Sequence, residues 1–262
     1  MREDRGVSEV VGFILVFSLI MMTVSTVYVV GFDGLENARD VERVNNMDRA
    51  FDVLADNVED IDQDGAPSRA TELKLADGQI GFSDSTNITV DVGGVEKLNE
   101  STRPLVYTYG GQQVIYENGA VLRSQSDSAW MTRSPTMTFG SPTGDRSVVF
   151  SVLDLNAEGA TSIGGSSNVL VRTTRFEGSA GRLATVGSDA GGNMVKIKIV
   201  TSDARAEVWR RYFESVIPDD TAWNRNIATP DADTSDGRTT VEVSFSATQW
   251  VLRVVNIGGD FE

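Results

Sequence analysis

The chain has 262 residues, enough for one large domain or two small ones around a buried core. Its formal net charge is −15 with a pI near 4.4, and four lysines (Lys74, Lys97, Lys196, Lys198) stand beside nineteen arginines; no basic stripe is present to displace phosphate counterions, which excludes nucleic acid as a partner. With no cysteine there is no disulfide, Cys-ligated zinc or thiol nucleophile, and with no histidine the commonest general base and the Ser–His–Asp arrangement are gone, leaving an enzyme only carboxylates, Lys or Tyr.

An acidic surplus with so little lysine suits a surface that stays hydrated in concentrated salt. There the Debye length shrinks to about 3 Å and self-repulsion is screened away. A halophilic source explains this balance best, with an ordinary acidic protein as the alternative.

The first predicted element is apolar. No charged residue occurs over the 23 positions from Val10 to Phe32. At about 1.5 Å per residue, a helix of that length spans a hydrocarbon core of about 30 Å. A secretory signal has a shorter apolar core, about 7–15 residues, followed by a small-x-small cleavage motif. The segment TVYVVGFDGLENA has no such motif, so a retained anchor is expected. Arg2, Arg5 and the terminal amine precede the run, and Asp33 and Glu36 follow it. That arrangement predicts a cytoplasmic N-terminus and an exported remainder.

The stretch RGVSEVVGFILVFSLI resembles the N-termini of archaeal, especially haloarchaeal, type IV pilin-like precursors. In that family a short basic leader ending in Arg-Gly or Arg-Ala precedes a long apolar helix, and a membrane prepilin-type peptidase cuts after the small residue on the cytoplasmic side. The resemblance implies that Arg5 and Gly6 close the leader and that Val7 becomes the new N-terminus. Ser8, Glu9 and Gly12 would fall in the first turns of the mature helix, with Glu9 third. Arg5, Gly6, Val7 and Glu9 are thus the processing residues. The implied partners are the membrane, the peptidase and other pilin subunits. Because the cut precedes the apolar run, one helix can sit first in a membrane and later in a filament core. An uncleaved signal anchor is the other reading that hydropathy allows.

Beyond the anchor, Val41, Val44, Met47, Phe51, Leu54, Val58 and Ile61 recur in steps of three and four, with charged residues mostly around them. This spacing predicts an amphipathic helix over 35–62. Gly31 and Gly34 weaken the junction, each by up to about 1 kcal/mol against alanine. EDIDQDGAPSRATE closes the helix. Asp60, Asp62, Asp64 and Gly65 have the spacing of the start of a calcium loop. Its twelfth position is Thr71, however, with Glu72 one residue late. A weak calcium site and a solvated helix-to-sheet linker both stay open.

From Thr71 the pattern turns to period two, the strand signal. TELKLADGQIGF reads as a hairpin about Asp77-Gly78, and QQVIYENGAVLRS as one about Asn118-Gly119, a type I′ signature. Further strands are predicted at NITVDV, LVYTY, PTMTF, RSVVFSVLDL, NVLVRTTRF and NMVKIKIV, with TTVEVSFS and QWVLRVVNI as two last ones. SDARAEVWRRYFESV reads as a helix capped by Ser202 or Asp203, with Val208, Trp209, Tyr212, Phe213 and Val216 on its apolar side. Ser/Gly-rich stretches at 159–168 and 187–193 read as surface loops. The fold class is α+β: a long N-terminal transmembrane and amphipathic helix, then a mostly antiparallel, sandwich-like head with one further helix near the C-terminus.

Chemistry is sparse. IGGSSN and DAGGN lack the strand–loop–helix context and the lysine of a phosphate loop and read as turns. Carboxylate pairs fit for glycoside hydrolysis are defined by a spatial separation of about 5–9.5 Å, which a sequence does not give. Asn87-Ile88-Thr89 and Asn99-Glu100-Ser101 are glycosylation sequons. Trp209, Trp223, Trp250 and Tyr212 read as core. The expected organisation is a leader at 1–6, a helix at 7–62 and an extracellular head at 63–262. The expected role is a pilin-like surface subunit, without enzymatic activity and with no cofactor besides the calcium candidate. A non-polymerising, membrane-tethered binding module is the alternative.

Overall fold

The computed structural model describes residues 4–126, 128–140, 145–176, 182–228, 231–233 and 237–262. It opens with helix α1 (Asp4–Gln63), followed by β1 (Ser68–Lys74), β2 (Gly78–Phe82), β3 (Thr86–Val92), β4 (Val95–Thr102), β5 (Leu105–Tyr109) and β6 (Gln112–Glu117). Next come β7 (Ala120–Gln125), β8 (Ser128–Arg133), β9 (Thr138–Phe139), β10 (Ser147–Ala157), β11 (Ser162–Gly165) and β12 (Asn168–Arg175). The chain ends with β13 (Arg182–Ser202), α2 (Asp203–Val216), β14 (Asn226–Ile227), β15 (Asp231–Asp233) and β16 (Arg238–Phe261). It divides into two units, Met1–Arg43 and Val44–Glu262.

The described part of the first unit is helical throughout. Among its described residues, seventeen large apolar side chains between Val10 and Phe32 are 49–73% exposed. Two hydroxyls in this stretch bond to the helix's own backbone. Thr23 and Thr26 donate their hydroxyls to the carbonyls of Ile20 and Met22, each at 2.8 Å. Phe13 stacks on Phe17, and Tyr28 lies against Phe32, one turn apart. By length and composition, this helix is able to cross a membrane.

The second unit takes in α1 from Val44 onward. Val44, Met47, Phe51, Leu54, Val58 and Ile61 are buried, as the period of 3.6 predicts, whereas Val41 is half exposed and outside the core. Arginines from the strands grip the polar flanks of this half. Arg123 donates to Asn45 Oδ1 at 2.8 Å, and Arg133 reaches Asp56, Glu59 and the carbonyl of Asp52. Gly65, at φ +69, turns the chain out of the helix, and the N–H groups of Asp64 and Ala66 both end on the Asp60 carbonyl.

Two sheets form the head. One has six strands in the order β11-β2-β5-β6-β7-β8; the other has ten, with β1-β12-β16-β13-β3-β4 as its main path. All pairings are antiparallel except β10 on β16, which is parallel. β16 is the spine of the larger sheet. Along one edge it pairs with β13 and then β12; along the other it pairs with β15, β14 and β10. The two last predicted strands are one 24-residue strand, which runs on through Thr248, where the N–H donates to the Arg146 carbonyl at 2.8 Å. The predicted loop at 187–193 is likewise part of β13, which bulges against β16 between Ser188 and Asn193. Within the predicted loop at 159–168, β11 pairs with β2.

The Asn118-Gly119 hairpin forms as expected, with both residues at positive φ (48° and 84°). The hairpin predicted about Asp77-Gly78 does not form. β1 pairs with β12 in the larger sheet and β2 with β5 in the smaller, so the turn carries the chain between sheets. Gly78 is required there because a Cβ would lie 2.3 Å from the Tyr107 ring.

Two apolar clusters fill the head. One gathers the second half of α1 with Leu73, Tyr107, Val114, Tyr116, Leu155 and Ile257; the other gathers α2 with Ile115, Phe150, Ile197, Phe245 and Trp250. Val114 and Tyr116 face one cluster and Ile115 the other, so β6 is buried on both faces and reads as a continuous apolar run. Trp209, Tyr212, Trp223 and Trp250 are core residues, as expected.

Candidate functional site

Arg5, Gly6 and Val7 fall in the first turns of α1, and Glu9 is exposed on the same helix; the side chains of residues 4–8 lie outside the described residues, as do Met1–Glu3 of the expected leader. The acids of the expected calcium loop do not converge. Asp60 and Asp62 belong to the last turn of α1, where positions two apart point to different sides. Asp60 pairs with Arg69 Nε at 3.0 Å, and Asp62 Oδ1 lies 2.9 Å from Arg253 Nη2. Burial raises the Asp62 carboxyl above the ordinary range, opposed by Arg253 and by a hydrogen bond from Ser151. No group of three acids able to hold a metal occurs among the described residues. Most of the acidic TPDADTSDG run lies outside the described residues or has undescribed side chains.

The two sequons lie on consecutive strands and are cross-strand neighbours. β3 and β4 pair so that Asn87 faces Ser101 and Thr89 faces Asn99, and Ser101 donates its hydroxyl to Asn87 Oδ1 at 3.1 Å. Both asparagines are exposed on the outermost strand pair of the larger sheet. Asn99 Nδ2 donates to Glu96 at 3.4 Å.

A different constellation was not legible in advance. Glu117 ends β6 with its side chain fully enclosed. Its Oε1 accepts from the hydroxyls of Thr86 and Thr201 (2.9 Å for the latter), and its Oε2 from Trp209 Nε1 at 2.9 Å. Arg205, 7% exposed in the first turn of α2, brings Nη1 to 3.6 Å from Oε1 and donates Nε to Ser202 Oγ at 2.8 Å. A buried carboxylate is tolerable only with this degree of pairing.

Of this cluster, Thr201, Ser202 and Arg205 line a cavity of about 530 Å³. The remaining walls include Ser83, Asp84, Ser85, Gln113, Ser124 and Arg238. Arg238 is held by the carbonyls of Ser85 and Val200 at 2.8 and 2.9 Å. The volume falls within the range of about 300–1,000 Å³ usual for small-molecule sites. Ser202 occupies the N-cap position of α2, yet its side chain makes no capping bond, because it accepts from Arg205 instead. Asp203, the other expected cap, accepts from Thr239.

A family model matches residues 5–257 of the chain. The protein belongs to DUF7289, a family of unknown function. The DUF7289 match runs through the apolar segment, both sequons and every residue named around the cavity. No curated protein matches the chain, and no solved structure does.

Within this DUF7289 chain, the sequence signal for the buried cluster was slight. Glu117 is a single acid in the apolar run VIYENGAVL, at the end of a strand buried on both faces. Arg205 looks like any surface charge in the first turn of a helix. Only the packing of α2 on the sheets brings the two together.

Proposed function

We propose that the protein is a type IV pilin-like surface subunit of a halophilic archaeon, without enzymatic activity. Residues 10–32 anchor it in the cell membrane, the N-terminus faces the cytoplasm and the β-rich head lies outside. A prepilin-type peptidase removes residues 1–6, and the mature helix beginning at Val7 is free to bundle with copies of itself in a filament that serves adhesion.

The observation that carries this reading is the division of labour within α1. Its second half is core of the head, and its first half presents seventeen large apolar side chains that are about half or more exposed, touched at most by ring neighbours one turn away on the same helix. Lipid or other copies of the helix are the two environments that remove such a surface from water. Arg5-Gly6 shortly ahead of it resembles the leader ending of archaeal type IV pilin-like precursors, and the acidic composition suits high salt.

Intact mass and N-terminal sequencing of membrane-derived protein test the processing. A chain starting at Val7 is expected, and one starting at Met1 refutes the peptidase step. Gly6→Trp should accumulate as precursor. The cavity beside Arg205 favours a second reading, a membrane-tethered binding module that never polymerises. Filaments containing the protein in sheared surface fractions distinguish the first from the second.

A further inference from the structure

We infer that the cavity between Arg205, Arg238 and Ser124 is a binding site for a small hydroxylated carboxylate, of the sugar-acid class. The inference concerns the head and holds whether or not the chain polymerises.

Charge sets the first half of the ligand. Glu117 lies behind Arg205, and both of its oxygens already accept hydrogen bonds, so it offers nothing to a ligand and serves to fix the guanidinium. Arg205 directs Nε to Ser202 and Nη1 toward Glu117, and no partner among the described residues takes Nη2. A guanidinium that is more than nine-tenths buried, lines a cavity and keeps a free N–H pair is built to receive an oxyanion. The first turn of α2 adds to this, since Ser202 leaves its N–H groups without a side-chain cap and Ala204 and Arg205 border the cavity. Arg238 brings a second positive charge. Among the described lining residues Asp84, exposed at the rim, is the one acid, on a molecule that is otherwise strongly acidic.

Neutral polar side chains set the second half. The side chains of Ser83, Ser85, Ser124 and Gln113 line the cavity and hydrogen-bond to no described residue. They offer donors and acceptors in pairs, which suits hydroxyl groups and not a bare inorganic anion. Gln113 and Ser124 are directly opposed across β6 and β7, so their side chains meet a ligand together. Val106, Ile115 and Ala204 supply limited apolar contact.

The test uses the full-length chain in detergent, in chloride buffer, with calorimetric titration of galacturonate, glucuronate and gluconate. Galactose serves as the uncharged control and acetate as the control without hydroxyls. At least one sugar acid should bind about ten-fold or more tightly than either control, the worth of one charge-assisted contact. Failure of all three acids to bind overturns the inference; so does equal binding of galactose or of acetate. Ser124→Tyr fills the cavity from the wall remote from Glu117 and should abolish binding with an unchanged melting temperature. Because Arg205→Gln alone leaves Glu117 unpaired, it is combined with Glu117→Gln. The pair should fold and not bind; retained binding refutes the role given to Arg205.

Discussion

Placing an arginine at Met21, near the middle of the 10–32 segment, tests whether this helix lives in lipid. Each Leu, Ile, Phe or Val contributes about −0.3 to −0.6 kcal/mol to insertion at a helix centre. The fourteen Leu, Ile, Phe and Val residues between Val10 and Phe32 therefore sum to about −4 to −8 kcal/mol on that scale. Thr23 and Thr26 subtract little, because their hydroxyls are already bonded to backbone carbonyls. One arginine costs about 2.5–3.5 kcal/mol, so Met21→Arg alone should leave most of the protein membrane-bound. Leu15→Arg with Met21→Arg removes two favourable residues and adds about 5–7 kcal/mol, bringing insertion close to balance. Membrane flotation of cells expressing wild type, single and double variants reads this out. The wild type and single variant should float, and a large share of the double variant should stay in the dense fractions. Head stability should not change, since residues 15 and 21 lie outside the unit that begins at Val44. If the double variant floats like wild type, the helix is not what holds the protein to the membrane.

Four other outcomes follow from the packing. Phe51→Ala empties a fully buried site on α1 and should destabilise the head by about 3–5 kcal/mol, a drop of about 6–20 °C in melting temperature for a unit of this size. Glu117→Ala strands the Thr86, Thr201 and Trp209 donors and the Arg205 charge, costing about 3–5 kcal/mol, and the double variant with Arg205→Gln should recover part of that in denaturant titrations. Burial raises the Asp62 carboxyl in the folded chain, so the folded state holds its proton more tightly than the unfolded one. Stability from that group is present below the ordinary carboxylate value and is lost as pH rises through the raised one. The melting temperature of Asp62→Asn should therefore gain on wild type as pH rises from about 3 to 7, and a gap that narrows instead would refute the assignment. With Asp60 and Asp62 facing arginines, calorimetric melting should be the same with calcium and with chelator.

Much of the molecule was written in periodicity. The apolar run from Val10 to Phe32, the steps from Val44 to Ile61 and the face of α2 follow from 3.6-residue spacing, because a helix satisfies its own backbone and needs only a stripe to declare itself. The Asn118-Gly119 turn was equally local, since positive φ at two successive residues selects few residue types. Strand partners were not local. Asp77-Gly78 looks like a hairpin turn, but Leu73 finds Val169 and Ile80 finds Tyr107 in different sheets. The stretch at 187–193 looks like a loop, but backbone bonds to β16 on either side of a bulge hold it in a strand. Glu117 with Arg205 arises from packing across tens of residues, and the facing of the sequons at Asn87 and Asn99 from the register of the β3–β4 pair. Composition and local spacing settle which segments are helix or strand; only the tertiary structure decides which strand edges meet, because any edge offers the same unpaired N–H and C=O groups until side-chain burial chooses among them.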